Sequence, residues 1–221
     1  MGDFIRLRAD DAHELDAYVA RPSSMPKAGL VIAQEIFGVN SHIRGVADGY
    51  AADGYLAIAP ALFDRVERAV ELGYQPDDVT RGREIRGKIA WDQVALDVAP
   101  AIEQVQSTGK VGVVGYCWGG SVAWLAACRL DLDAAVCYYG GNIHELRNET
   151  PRCPVMMHFG EEDQAIPLDQ VEAVRKLHPK AIVHLYPAGH GFNCDQRGSY
   201  HAASAKLARE RTLKFFGKHL G

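Results

Sequence analysis

The chain has 221 residues, 48% of them hydrophobic, and a formal net charge of −4. That is enough apolar material for one core spanning residues 1–221 as a single domain, and the mild acidity excludes a nucleic-acid or polyanion binder. Five cysteines without a C-x-x-C pair and nine histidines without ligand spacing exclude a disulfide framework and predict neither a metal site nor a cofactor. The first residues carry no basic-then-apolar leader, and no window is apolar for long enough to span a membrane. A cytoplasmic protein with free thiols and no membrane partner is expected.

In chain order, residues 4–8 and 14–20 alternate apolar and polar and predict an antiparallel pair at a sheet edge. Residues 22–26 form a turn-rich link. Six short, continuous apolar runs follow at 30–33, 56–59, 111–114, 134–138, 155–159 and 182–186, as expected of parallel strands covered on both faces. Between them, residues 42–53, 93–106, 119–129, 168–177 and 200–220 have helical character. In the last, Leu207, Leu213, Phe216 and Leu220 fall on one stripe. The charged stretch 63–88 predicts a loop and a short helix over the top of the sheet, where such segments shape pockets. Alternating strands and helices predict an α/β fold: a doubly wound, mostly parallel sheet with an antiparallel N-terminal edge and helices on both faces.

The chemistry centres on Gly115-Tyr116-Cys117-Trp118-Gly119-Gly120, which lies between the apolar run 111–114 and the helical segment 119–129. Strand, glycine-flanked turn and helix give the nucleophile elbow of α/β-hydrolases, G-x-S-x-G, with cysteine where serine usually stands. In this fold the acid and then the histidine follow the nucleophile along the chain. Asp163 follows the run 155–159, with Glu161 and Glu162 as rivals, and His190 follows the run 182–186 between glycines. Both stand just past a strand's C-terminal end, where such sheets bind ligands. His190 would take the thiol proton and Asp163 would orient it. The backbone N–H of Trp118 and, from the loop after 30–33, that of Ile36 are the expected oxyanion donors. His158, His178 and His184 read as structural, and Cys128 and Cys137 as buried thiols.

Gln34-Glu35-Ile36-Phe37-Gly38-Val39-Asn40, the cysteine elbow, Tyr138-Tyr139-Gly140, Asp163 in its turn and Gly189-His190-Gly191-Phe192 extend the pattern along the whole chain. On these residues the sequence resembles the dienelactone hydrolase (carboxymethylenebutenolidase) family. The resemblance implies hydrolysis of a small ester or lactone bearing a carboxylate, by a monomer or homodimer. A glutamate after a buried strand needs a partner, and one reading of Glu35 is an ion pair that holds its loop. The resemblance implies instead a switch whose contact alternates between Cys117 and an arginine. It also implies two arginines gripping the substrate carboxylate. Arg83 aligns best with the first, Arg81 is its rival, and Tyr138 is counted among the substrate contacts. The second would stand four residues after the histidine, where this chain has Cys194; Arg197 is nearest, and otherwise half the clamp is lost. A general esterase or thioesterase, a binding or sensor protein on the same fold, and a redox thiol pairing Cys117 with Cys194 are the alternatives.

Overall fold

The computed structural model describes residues 2–221. Eight strands form one sheet: β1 (Asp3–Arg8), β2 (Glu14–Ala20), β3 (Gly29–Ala33), β4 (Leu56–Pro60), β5 (Val111–Tyr116), β6 (Ala134–Tyr138), β7 (Val155–Gly160) and β8 (Ile182–Tyr186). Their order is β1-β2-β4-β3-β5-β6-β7-β8; β1–β2 and β2–β4 pair antiparallel and every other neighbour pair is parallel. The burial pattern explains the two kinds of strand seen in the sequence. β3, β5, β6 and β7 are buried at every position, whereas β1 is mostly exposed at the edge. A strand covered on both faces has no polar side to show, so its sequence does not alternate.

Six α-helices cover the sheet: α1 (Ser41–Ala52), α2 (Pro76–Arg86), α3 (Trp91–Val105), α4 (Trp118–Arg129), α5 (Leu168–Leu177) and α6 (Ala202–His219). α1 and α6 lie together, with Arg209 on Asp53 at 2.6 Å and the Tyr50 ring against Phe216. α3 packs on α4, and α4 carries His178, at the end of α5, against Trp124. The arrangement is the expected doubly wound α/β architecture with an antiparallel edge. Among the described residues, no helix is long and apolar enough to cross a membrane.

Two local expectations need correction. The stretch 63–88 contains a full three-turn helix, α2, which starts where Pro76 occupies the first turn and the Gln75 N–H donates to Asp78 at 3.0 Å. A proline at this position costs the helix no hydrogen bond. On α6 the buried face is Ala205, Ala208, Thr212, Phe215 and Phe216, while Leu207 is 42% exposed. Ala205 and Ala208 on this face leave room for the helix to approach β6 and β7.

Below the rim of the sheet, a buried polar chain ties four elements together. His158 of β7 meets the Tyr186 hydroxyl of β8 at 2.8 Å and the Thr212 hydroxyl of α6 at 3.0 Å; Thr212 in turn meets the Tyr138 hydroxyl of β6 at 2.7 Å. Burial holds His158 well below the usual histidine range, so it is neutral and can donate from one ring nitrogen and accept at the other.

Candidate active site

The register of the sheet decides what meets at its C-terminal rim. Ala33 is opposite Gly115, Tyr116 opposite Tyr138, and Gly160 opposite Tyr186, so the loops leaving β3, β5, β7 and β8 emerge side by side. At the end of β5 the backbone turns sharply through Cys117, at φ 55° and ψ −120°, and α4 begins at the next residue. A non-glycine residue in this region carries on the order of 1–3 kcal/mol of strain. Its N–H on the Tyr138 carbonyl, at 3.0 Å, and its own carbonyl accepting from Gly120, at 2.9 Å, hold the turn. A Cβ on Gly119 would collide with the carbonyl oxygen of Ala33. The glycine lets the first turn of α4 sit directly against the loop after β3.

Cys117 Sγ is 3.2 Å from His190 Nε2, and His190 Nδ1 is 2.8 Å from Asp163 Oδ2. The second Asp163 oxygen accepts from the Ala165 N–H at 2.8 Å, which fixes the carboxylate. Glu161 and Glu162 are exposed, and the buried Asp163 is the acid that reaches the imidazole. Burial works against a charged imidazole here. The facing Cys117 sulfur and the Asp163 carboxylate outweigh it, and His190 is pushed up to about 10. The three groups thus form one hydrogen-bonded line able to hold a proton between sulfur and ring.

The loop after β3 runs across the elbow. Gln34 pins it by accepting from the Leu62 N–H at 3.1 Å and donating to the Glu35 carbonyl at 3.2 Å. Among the described residues, the N–H groups of Ile36 and Trp118 donate to no protein acceptor. Both residues line a cavity of about 320 Å³ with Cys117, His190, Arg83 and Arg197. Free N–H groups beside a carbonyl under attack are what a developing oxyanion needs.

Glu35 is completely buried, yet it makes no hydrogen bond to Cys117. Its carboxylate accepts from the Tyr74 hydroxyl at 3.2 Å and from Arg197 Nη1 at 3.4 Å. Of the two contacts expected for it, the structure contains the arginine one. Arg197 also lies over the Phe37 ring at 5.7 Å. It passes Gly191, at φ 78°, where a Cβ would strike the guanidinium. The shifted arginine therefore reaches the cavity through a gap that a side chain at residue 191 would close.

The other substrate contacts sort unevenly. Arg83 lines the cavity, joined by Arg86, which sequence reading did not single out. Arg81 points away, paired with Glu67 and Glu84. Tyr138 is fully buried with its hydroxyl on Thr212 and does not line the cavity. Its neighbour Tyr139, at φ 38°, packs instead against His190, with 5.1 Å between ring centres. Cys128 and Cys137 are buried free thiols.

Cys194, in the position expected for the second arginine, is buried beside Glu35, and both effects push its thiol up to about 11. With His42, these two side chains bring a carboxylate oxygen, a ring nitrogen and a sulfur within 4.8 Å of one another. Local spacing in the sequence predicts no metal site; these three groups come from segments far apart in the chain.

Comparison with known proteins places these features in a family context. A family model described as the dienelactone hydrolase family matches residues 15–220. The carboxymethylenebutenolidase of Pseudomonas putida is 36% identical over 96% of this chain and 94% of its own length. A crystal structure from Klebsiella pneumoniae, provisionally named a dienelactone hydrolase, superposes with a TM-score of 0.87 at 30% identity, covering 99% of this chain and 100% of that one. A dienelactone hydrolase-like promiscuous phosphotriesterase from metagenomic libraries shares the fold alone, with a TM-score of 0.82 at 19% identity, covering 100% of this chain and 99% of that one.

Proposed function

The chain belongs to the dienelactone hydrolase family and is a hydrolase of ester or lactone bonds, and from that premise we propose a cysteine mechanism acting on a small substrate that carries a carboxylate. The observation that carries it is the line Cys117–His190–Asp163 at 3.2 and 2.8 Å, with Cys117 on a strained turn that lines the cavity. Cys117 Sγ attacks the ester carbonyl carbon while His190 holds the proton that the thiol gave up. The carbonyl oxygen gains negative charge, and the N–H groups of Ile36 and Trp118 stabilise it. The carbon–oxygen bond then breaks, His190 gives its proton to the leaving oxygen, and a thioester on Cys117 remains. His190 next draws a proton from water, which attacks the thioester and releases the acid and the thiolate. Asp163 keeps Nδ1–H pointed at itself throughout and stabilises the imidazolium.

Arg83 and Arg197 line the cavity that Cys117 also lines, and they suit a substrate carboxylate. As Arg197 moves to the substrate, Glu35 loses that partner and becomes free to turn toward Cys117. This gives it the role of a switch. The single domain, acting as monomer or homodimer, would work in the cytoplasm, where five unpaired cysteines stay reduced.

A screen of dienelactones, neutral lactones and chromogenic esters, read by acid release, tests the proposal on wild type, Cys117→Ala and Arg83→Ala. Turnover abolished by Cys117→Ala, with Arg83→Ala slowing anionic substrates at least ten-fold more than neutral ones, supports it. Equal loss on both substrate types would instead favour a general esterase. Wild-type turnover no higher than that of Cys117→Ala would remove the catalytic reading.

A further inference from the structure

Glu35, His42 and Cys194 converge from three segments: the loop after β3, the first turn of α1 and the turn beyond His190. All three residues are buried, and their possible ligand atoms lie within 4.8 Å of one another. The imidazole of His42 supplies a second and independent sign. Its Nδ1 sits 3.3 Å from the Asp195 carboxylate, and its Nε2 is buried without any hydrogen-bond partner. The side chain as a whole is 6% exposed. A buried ring nitrogen without a partner is unusual enough to need a reason.

We propose that Glu35, His42 and Cys194 form a binding site for one thiophilic divalent cation, zinc by its chemistry, placed beside the reactive cysteine and sharing Glu35 with it. Sulfur, imidazole nitrogen and one carboxylate oxygen together suit zinc, whereas magnesium and calcium select sets of oxygens. Ligand bonds of about 2.0–2.3 Å in a tetrahedron bring the ligand atoms roughly 3.3–3.8 Å apart, so the cluster needs only modest contraction. The Asp195 carboxylate on the other ring nitrogen is the outer partner that ligating histidines use to fix their orientation. Three protein ligands leave a fourth position for water. When the sulfur–metal bond forms, the Cys194 proton leaves to solvent.

One consequence concerns Arg197, whose guanidinium now shares Glu35 from 3.4 Å. A cation on Glu35 displaces it toward the cavity. Metal occupancy would therefore take Glu35 out of the switch; this regulatory consequence rests on the proposed cysteine mechanism, while binding itself does not.

The experiment uses the full chain with Zn²⁺ or Co²⁺ alone, in wild type, Cys117→Ser, Cys194→Ser and His42→Ala. Equilibrium dialysis reads zinc stoichiometry, and the near-ultraviolet thiolate-to-cobalt band reads sulfur ligation. One cation per chain is expected in wild type and Cys117→Ser, with affinity at least ten-fold weaker in Cys194→Ser and His42→Ala. Zinc should also raise the melting temperature of Cys117→Ser but not of Cys194→Ser, which separates lost binding from lost folding. The site is refuted if wild type takes up no stoichiometric cation, or if uptake disappears in Cys117→Ser but survives in Cys194→Ser. Unchanged affinity in His42→Ala overturns it as well. None of these readouts needs turnover, so failure of the catalytic reading and failure of this site give different results.

Discussion

Gly82→Ala is a sharp test of how the loop proposed to stabilise the oxyanion is held. Gly82 lies on α2, far in sequence from the elbow, but a Cβ built on it would collide with the carbonyl oxygen of Ile36 and lie 3.0 Å from its carbonyl carbon. Ile36 lines the cavity, and its N–H is one of the two proposed oxyanion donors. The clash must be relieved by moving α2 outward or by rotating the peptides around Ile36, and the second route redirects that donor. Overpacking costs typically about 1–3 kcal/mol. Replacing a mid-helix glycine with alanine returns roughly 0.8–1.0 kcal/mol. The net destabilisation is then about 0–2 kcal/mol, a fall of no more than about 8 °C in melting temperature for a chain of this size. Complete loss of one oxyanion donor costs about 10²–10³-fold in kcat. A donor displaced rather than removed should cost roughly ten- to a hundred-fold, with KM little changed, because the loss falls on the transition state. Steady-state kinetics on a chromogenic ester, beside thermal melts, reads both effects. Wild-type kcat in a Gly82→Ala protein of unchanged melting temperature would refute the idea that this helix sets the Ile36 donor.

Other expectations follow from single contacts. The raised His190 has a defined pH signature: for a group pushed up to about 10, the stabilising contribution is complete below its unfolded value near pH 6.5 and is lost as pH rises through about 10. The stability difference between wild type and His190→Gln, from urea unfolding at stepped pH, should narrow from pH 7 to 10; a constant difference would contradict it. Asp97 is buried against Arg65 at 2.6 and 2.8 Å, and Asp97→Ala leaves that guanidinium with Asp11 alone, at 2.6 Å, so the change should cost about 1–3 kcal/mol in urea unfolding. Tyr138→Phe removes one hydrogen bond to Thr212 and should cost about 1 kcal/mol with KM unchanged; a rise in KM would return that tyrosine to the pocket.

How much was legible in the sequence depended on whether the signal was local. The positions of Cys117, Asp163 and His190 could be read because each follows a short apolar run, and a strand followed by a glycine-rich turn is visible in a few residues. The structure brings these three together; their chemistry is the proposal. Placing Tyr138 in the core rather than at the cavity needed the packing at one strand end. That tyrosine's side chain runs into the core, where the hydroxyl meets Thr212 of α6, and nothing in the neighbouring residues marks that direction. α2 was hard to see because only Gly82 and Ile85 are buried along it. A helix that rests on a glycine has little apolar periodicity to show. The approach of His42 to Cys194 left no trace at all, since contacts between distant segments carry no spacing rule.

The buried chain of His158, Thr212, Tyr138 and Tyr186 has a consequence for where precision at the rim originates. β8 is an edge strand with only Tyr186 buried along it, so apolar burial alone specifies its pairing weakly. A slip of one residue would turn Tyr186 outward and leave Nδ1 of His158 without a partner inside the protein, at a cost of about 1–3 kcal/mol. The quartet thus works as a ratchet pawl: it admits one tooth of β8 against β7 and rejects the next. Asp163 leaves the end of β7 and His190 the end of β8, so their 2.8 Å separation is settled while the chain folds. A substrate arriving later finds the acid and the imidazole already aligned and spends none of its binding energy on aligning them.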